Sequence, residues 1–102
     1  MVTKRITKDY VLYLIRTLKY EIKCLLNSKS SLIKEDNQIK LRDVYQRLLD
    51  KEDYIINHVK EDQQLLLRMY ARVFTNLFID IDPLREDITD KDVVKSIIRF
   101  RI

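Results

Sequence analysis

The sequence predicts an all-α protein, built as a small helical bundle from two similar helix-turn-helix hairpin motifs. Three observations favour this fold class: glycine is absent from the 102 residues and proline occurs once, apolar residues recur at helical spacing, and a charged motif of the first half returns in the second. Tight β-hairpin turns favour glycine, so strand-rich folds are disfavoured. A chain of this length forms one domain and buries roughly two-thirds of its unfolded surface. We therefore predict a single domain over residues 1–102.

The first helix is predicted to run from about residue 7 to 27. Thr7 is a suitable N-cap, and apolar side chains then follow at intervals of three and four over five turns. The cluster Ser28-Lys29-Ser30-Ser31 ends the pattern. The apolar positions are Val11, Leu14, Ile15, Leu18, Ile22, Leu25 and Leu26.

A single turn over residues 32–36, capped by Ser31, is predicted to lead into a second amphipathic helix. Its apolar face carries Leu41, Val44, Tyr45, Leu48 and Leu49. The stretch 51–53 is a candidate break, although the pattern also fits one continuous helix because residues 40–79 contain no helix breaker.

The third helix is predicted over residues 65–79, where apolar side chains cover about 200° of the helix surface, roughly twice the usual stripe. Asp82 and Pro83 end it. A near capping box over residues 89–92 marks the fourth helix. A short antiparallel strand pair over residues 78–82 and 98–102 is the alternative, since both stretches alternate apolar and charged residues.

A charged motif occurs twice, as LIKED at residues 32–36 and as PLRED at residues 83–87, 51 positions later. The apolar residues on either side keep the same order. A hairpin of about 50 residues cannot bury its apolar face alone. We therefore predict two structural repeats, over about 1–51 and 52–102, packed about a pseudo-twofold axis.

The composition argues against catalysis. Phosphate-binding loops and nucleophile elbows depend on glycine, and one histidine, His58, with one cysteine, Cys24, supplies too few ligands for a zinc or haem site. Helix capping explains the acidic residues near Asp80 and Asp82. We predict no enzymatic activity, no cofactor and no metal. The single cysteine, the charged N-terminus and the lack of a long apolar run predict a cytoplasmic protein without a membrane span.

The excess of apolar surface on the third helix predicts a groove between the two repeats that binds a partner. Aromatic and leucine side chains rimmed by basic residues are typical of protein interfaces. The expected occupant is a peptide segment of another protein, or a second copy of the chain in a homodimer. In the alternative, residues 52–63 fold back over this surface. The predicted groove residues are Tyr13, Tyr20, Leu67, Tyr70, Phe74 and Phe78.

The charge distribution allows a second function. The net charge is +4, with an excess of +6 in residues 1–51 and of −2 in residues 52–102. Lys8, Arg16, Lys19 and Lys23 lie along one flank of the first helix, where they are candidates for nucleic-acid contacts. The same side chains also fit a solvated edge whose long stems cover the core. We favour the protein-interaction module and keep a small basic nucleic-acid-binding protein as the alternative.

In its length, its lack of glycine, its Lys-, Ile- and Asp-rich helices and its single Cys24, the sequence resembles the small orphan proteins of filamentous viruses that infect hyperthermophilic archaea. A high charge content with one proline and no glycine is also a thermophilic tendency. The resemblance implies a protein of the host cell cytoplasm that acts by interaction rather than catalysis. It implies no particular functional residue.

Overall fold

The computed structural model describes residues 4–100 and folds them into an all-helical bundle, as predicted. The helices are α1 (Lys8–Ser28), α2 (Glu35–His58), α3 (Gln64–Ile81) and α4 (Asp90–Arg99), with a 3₁₀ turn at Ser30–Leu32. No strand occurs within residues 4–100. The strand alternative is wrong there, because residues 78–81 belong to α3 and residues 98–99 to α4; residues 101–102 lie outside the described part.

Local side chains set the helix ends that the sequence predicts. The Thr7 Oγ1 accepts a hydrogen bond from the backbone N–H of Tyr10 (3.1 Å) and so begins α1. The carboxylate of Asp92 accepts from the backbone N–H (3.0 Å) and the hydroxyl (3.1 Å) of Thr89, which forms the capping box of α4. After α3, the carboxylate of Asp82 accepts from the backbone N–H of Leu84 (3.0 Å) and holds the turn.

The connection between α1 and α2 differs from the prediction. The single turn expected at residues 32–36 is a 3₁₀ turn three residues long, and Glu35 already begins α2. The candidate break at residues 51–53 is helical, because the buried face continues from Leu48 to Ile55 without interruption. Position 51 therefore lies inside a helix of 24 residues.

The four helices pack in a ring. Both α1 and α4 contact α2 and α3. The backbone N–H groups of Ile6 and Lys8 donate to the side chains of Gln64 (2.9 Å) and Glu61 (3.0 Å), so α1 and α3 start side by side. The backbone N–H of Lys34 likewise donates to a carboxylate in the first turn of α4 (2.7 Å), so α2 and α4 start together. A twofold axis that exchanged α1 with α3 and α2 with α4 would make the two helices of each pair antiparallel, whereas the helices of each pair start at the same end. These contacts therefore do not support the predicted pseudo-twofold axis.

Burial nevertheless recurs between the halves, at an interval of 52 residues. Seven of the buried positions of α1 and α2 have a buried counterpart 52 positions later, without a gap. The interval of 51 that aligns LIKED with PLRED instead pairs Ile33, 4% exposed, with Leu84, 87% exposed. The recurring positions are Ile15, Leu18, Ile22, Leu25, Leu41, Val44 and Leu48 in the first half and Leu67, Tyr70, Phe74, Leu77, Val93, Ser96 and Phe100 in the second.

Candidate interaction site

Three of the predicted groove residues belong to the hydrophobic core. Leu67, Tyr70 and Phe74 are buried. The ring of Phe100, just after α4, lies 6.3 Å from the ring of Phe74, and the Nζ of Lys51 on α2 lies 5.7 Å from the ring of Tyr70. These side chains cannot line an open groove, because neighbouring helices cover them. The structure therefore corrects the prediction that these three side chains line an open groove.

The other aromatic candidates lie nearer the surface. Tyr13 and Tyr20 are 61% and 69% exposed, and Tyr10, one turn before Tyr13, is 44% exposed. Phe78 is half-buried against the core. Intervals of three and seven residues place the three tyrosines on one side of α1. We call Tyr10, Tyr13 and Tyr20 the tyrosine face.

Short polar side chains separate the tyrosines along this side of α1. The hydroxyl of Thr17 donates to the backbone carbonyl of Tyr13 (2.9 Å), which satisfies it within the helix. A hydrogen bond with Cys24 raises the pKa of Tyr20, so this phenol stays neutral at physiological pH. The face therefore presents aromatic rings with hydroxyl groups, the amphipathic chemistry that interfaces favour.

Glu21 marks the edge of the tyrosine face next to α3. Its Oε2 is buried and has no hydrogen-bond partner among the described residues. Burial raises the pKa of Glu21, and the nearby carboxylate of Asp82, just after α3, raises it further. The described part of the chain therefore leaves a buried carboxylate oxygen at this edge without a donor.

Three of the four predicted nucleic-acid contacts are engaged with α2. The Nζ of Lys8 donates to the backbone carbonyl of Ile56 (2.8 Å). The carboxylate of Glu52 accepts from Lys19 (2.7 Å) and from Arg16 (2.8 Å). Burial opposes ionisation of Glu52, but these hydrogen bonds outweigh it and lower its pKa.

The structure thus places Lys8, Arg16 and Lys19 between α1 and α2, where they hold the two helices together. Lys23 is exposed. Cations that already serve an internal carboxylate and carbonyl have less to gain from a phosphate. Their contact with nucleic acid stays a prediction, and this arrangement does not favour it.

The sequence pattern did not single out Glu52, because a carboxylate 33 positions from Lys19 shows no local spacing that links the two. Tyr10 has the same helical spacing as the other tyrosines and was recognisable as a neighbour of Tyr13. The exposure of this face, however, depends on where α2 and α3 pack.

A concavity of about 380 Å³ lies at the start of α1, lined by residues 4–7 and Tyr10. It shares Tyr10 with the tyrosine face, and none of the predicted groove residues lines it. Over residues 4–100 no group of three His, Cys, Asp or Glu side chains is placed to hold a metal ion. Within the same range no helix has the length and apolar character needed to cross a membrane.

Comparison with known proteins gives no relative from which a function could be proposed, so the surface is interpreted from its own chemistry. Neither a protein-family model, nor a curated protein, nor a solved structure matches the chain.

Proposed function

We propose that this protein is a protein-interaction module without catalytic activity, and that it docks a partner on the tyrosine face of α1. The observation that carries the proposal is the exposure of Tyr10, Tyr13 and Tyr20 on one side of a helix whose opposite side is fully packed. Tyrosine supplies a large contact area at a low cost in side-chain entropy and is enriched at interface hot spots.

The rigidity of α1 supports the proposal. Lys8 and Lys19 fix one flank of the helix to α2, and Gln64 fixes the segment before α1 to the start of α3 through two hydrogen bonds with Ile6 (2.9 Å each). A preformed surface loses little conformational entropy on binding, so more of the contact energy appears as affinity.

The recurrence of burial supports a second part of the proposal, that the two hairpins are two copies of one helix-turn-helix unit. The register of the repeat is then 52 residues, with Leu18 and Tyr70 as one equivalent pair. The pseudo-twofold axis stays a prediction that the parallel course of α1 and α3 does not favour. In this view the halves share a core pattern but present different surfaces, because the positions of the second half that are equivalent to the tyrosine face hold no tyrosine. These positions, 52 residues after Tyr10, Tyr13 and Tyr20, hold Asp62, Leu65 and Arg72.

Selection from a random peptide library tests the proposed function. We expect bound peptides to shift the amide NMR signals of residues around Tyr13 and Tyr20. The double variant Tyr13→Ser/Tyr20→Ser should lose binding by at least about tenfold, since a few aromatic side chains dominate most interfaces.

A matched control removes two apolar side chains elsewhere that are even more exposed than the tyrosines, Leu65→Ser/Leu84→Ser, and should bind normally. Peptides that shift signals elsewhere, or bind both double variants alike, would contradict the proposal. DNA retention that falls steeply with salt and is lost in Lys23→Glu would favour the nucleic-acid alternative instead.

A further inference from the structure

The exposed side of α1 has the spacing of a coiled-coil seam. Starting at Tyr10, the intervals alternate between three and four residues, and none of the six positions belongs to the buried core. This is the a and d pattern by which two helices pack along their length. The a positions are Tyr10, Thr17 and Cys24, and the d positions are Tyr13, Tyr20 and Asn27.

We infer that the partner of the tyrosine face is a second copy of this chain, packed so that the two α1 helices run parallel. The inference rests on the proposed function, because it names the occupant of the same surface. It adds the direction of packing and the residues at the edges of the seam.

The charges beside the seam select this occupant. Asp9, Arg16 and Lys23 occupy g positions on one edge, and Glu21 occupies an e position on the other. In a parallel pair each g residue lies beside the e residue five positions later on the partner, so Arg16 meets Glu21 of the second copy, twice per dimer. In an antiparallel pair like edges meet, and in the register that aligns all six seam positions Arg16 would face Lys23. Arg16 and Glu21 therefore meet in the parallel orientation, whereas an antiparallel pair keeps them on separate edges.

Arg16 is free to take part in this pair. Lys19, with 17% of its side chain exposed, makes the shorter bond to Glu52, whereas Arg16 keeps 60% of its side chain exposed. Lys19 can hold Glu52 while Arg16 turns to the second copy. The guanidinium then pairs with the half-buried carboxylate of Glu21, whose Oε2 has no donor among the described residues.

Sedimentation equilibrium over a range of concentrations tests self-association. We expect the mass to rise from 12.4 kDa towards twice that value. Arg16→Glu and Glu21→Arg should each weaken self-association by roughly tenfold, because both edges of the pair then carry like charges. An equal mixture of the two variants should associate again, since opposite charges meet at both edges. Thermal unfolding followed by circular dichroism verifies that each variant is folded.

Cys24 reports the direction of packing. At an a position, the two Cys24 side chains of a parallel dimer share one layer, within disulfide reach. In the antiparallel alternative Cys24 lies opposite Tyr13, and the two thiols are about 16 Å apart along the helix. With oxidised glutathione as oxidant, two thiols become one disulfide and glutathione is reduced. We expect a covalent dimer on a non-reducing gel, absent in Cys24→Ser.

A monomer at every concentration up to about 1 mM overturns the inference. So does a dimer that the mixed charge variants do not restore, or one that Cys24 does not cross-link. A monomer that still binds a selected peptide on the tyrosine face leaves the proposed function standing and refutes only the second copy as its occupant.

Discussion

Replacement of Asp80, near the end of α3, by asparagine tests whether burial or ion pairing determines the direction in which the pKa of its carboxylate shifts. The side chain of Asp80 is only 7% exposed, and the Nη1 of Arg99 lies 3.4 Å from its Oδ2 and 3.5 Å from its Oδ1. Burial raises the pKa of Asp80; Arg99, Lys95 and Arg85 oppose this shift and Asp92 adds to it. The burial effect prevails, so the ionised form of Asp80 is less favoured in the folded protein than in the unfolded chain.

The expected magnitude follows from two opposing costs. A buried polar group without a compensating hydrogen bond costs roughly 1–3 kcal/mol, and the Oδ2 of Asp80 accepts none. An ion pair with Arg99, whose side chain is 45% exposed, returns only about 0.2–1 kcal/mol. Ionised Asp80 should therefore destabilise the fold by on the order of 1 kcal/mol. Because its folded pKa is raised, its favourable contribution is present below the unfolded pKa and is lost as the pH rises through the folded pKa.

Urea unfolding of the wild type and Asp80→Asn from acidic to neutral pH measures this term. As the pH rises, the variant should gain about 1 kcal/mol in free energy of unfolding relative to the wild type. Any packing effect of asparagine itself is independent of pH and cancels in this comparison. The exposed control Asp62→Asn should show no such gain. If Asp80→Asn instead loses relative stability as the pH rises, the pair with Arg99 outweighs burial and the reasoning is refuted.

Three further predictions concern the packing and the helix ends. Phe74→Ala should lower the free energy of unfolding by about 3–5 kcal/mol in urea, because it opens a cavity beside Phe100. Glu52→Gln should flatten the stability profile in acid: burial raises the pKa of Glu52, but the hydrogen bonds from Lys19 and Arg16 outweigh it and lower this pKa, and the stability they provide is lost as the pH falls through it. An unchanged profile would contradict this. Thr89→Ala should cost about 1 kcal/mol in thermal unfolding by removing the cap of α4, and a variant as stable as the wild type would show that the cap contributes nothing.

The helices were predictable because their signals are local. Thr7 and Thr89 cap their helices through contacts within three residues, and apolar periodicity marks the buried faces. The register of the repeat was not predictable from LIKED and PLRED, because charged loop residues face solvent and carry no packing constraint. Buried positions are constrained by packing, and they align Leu18 with Tyr70 at an interval of 52 residues. The LIKED and PLRED motifs instead recur at an interval of 51.

The groove residues show the limit of periodicity. An apolar arc of about 200° indicates that a helix is covered on two sides or left partly open, but it does not distinguish these cases. In α3, packing against α1 and α4 buries Leu67 and Phe74, while Leu65 and Ile79 stay exposed. The open aromatic surface lies instead on α1, where the tyrosines of the predicted groove extend beyond the packed side.

The basic flank of α1 shows why charge along a sequence does not by itself indicate a nucleic-acid surface. A cation finds its partner in three dimensions, and Glu52, from the acidic second half, lies on α2 opposite Lys19 and Arg16. Glu52 thereby neutralises part of the excess positive charge of the first half within the molecule. The tyrosine face of α1 stays open to solvent, with Arg16 on one edge and Glu21 on the other. Because the tyrosine rings offer no charge to a polyanion, the proposed binding on this face should depend less steeply on salt than binding to a nucleic acid.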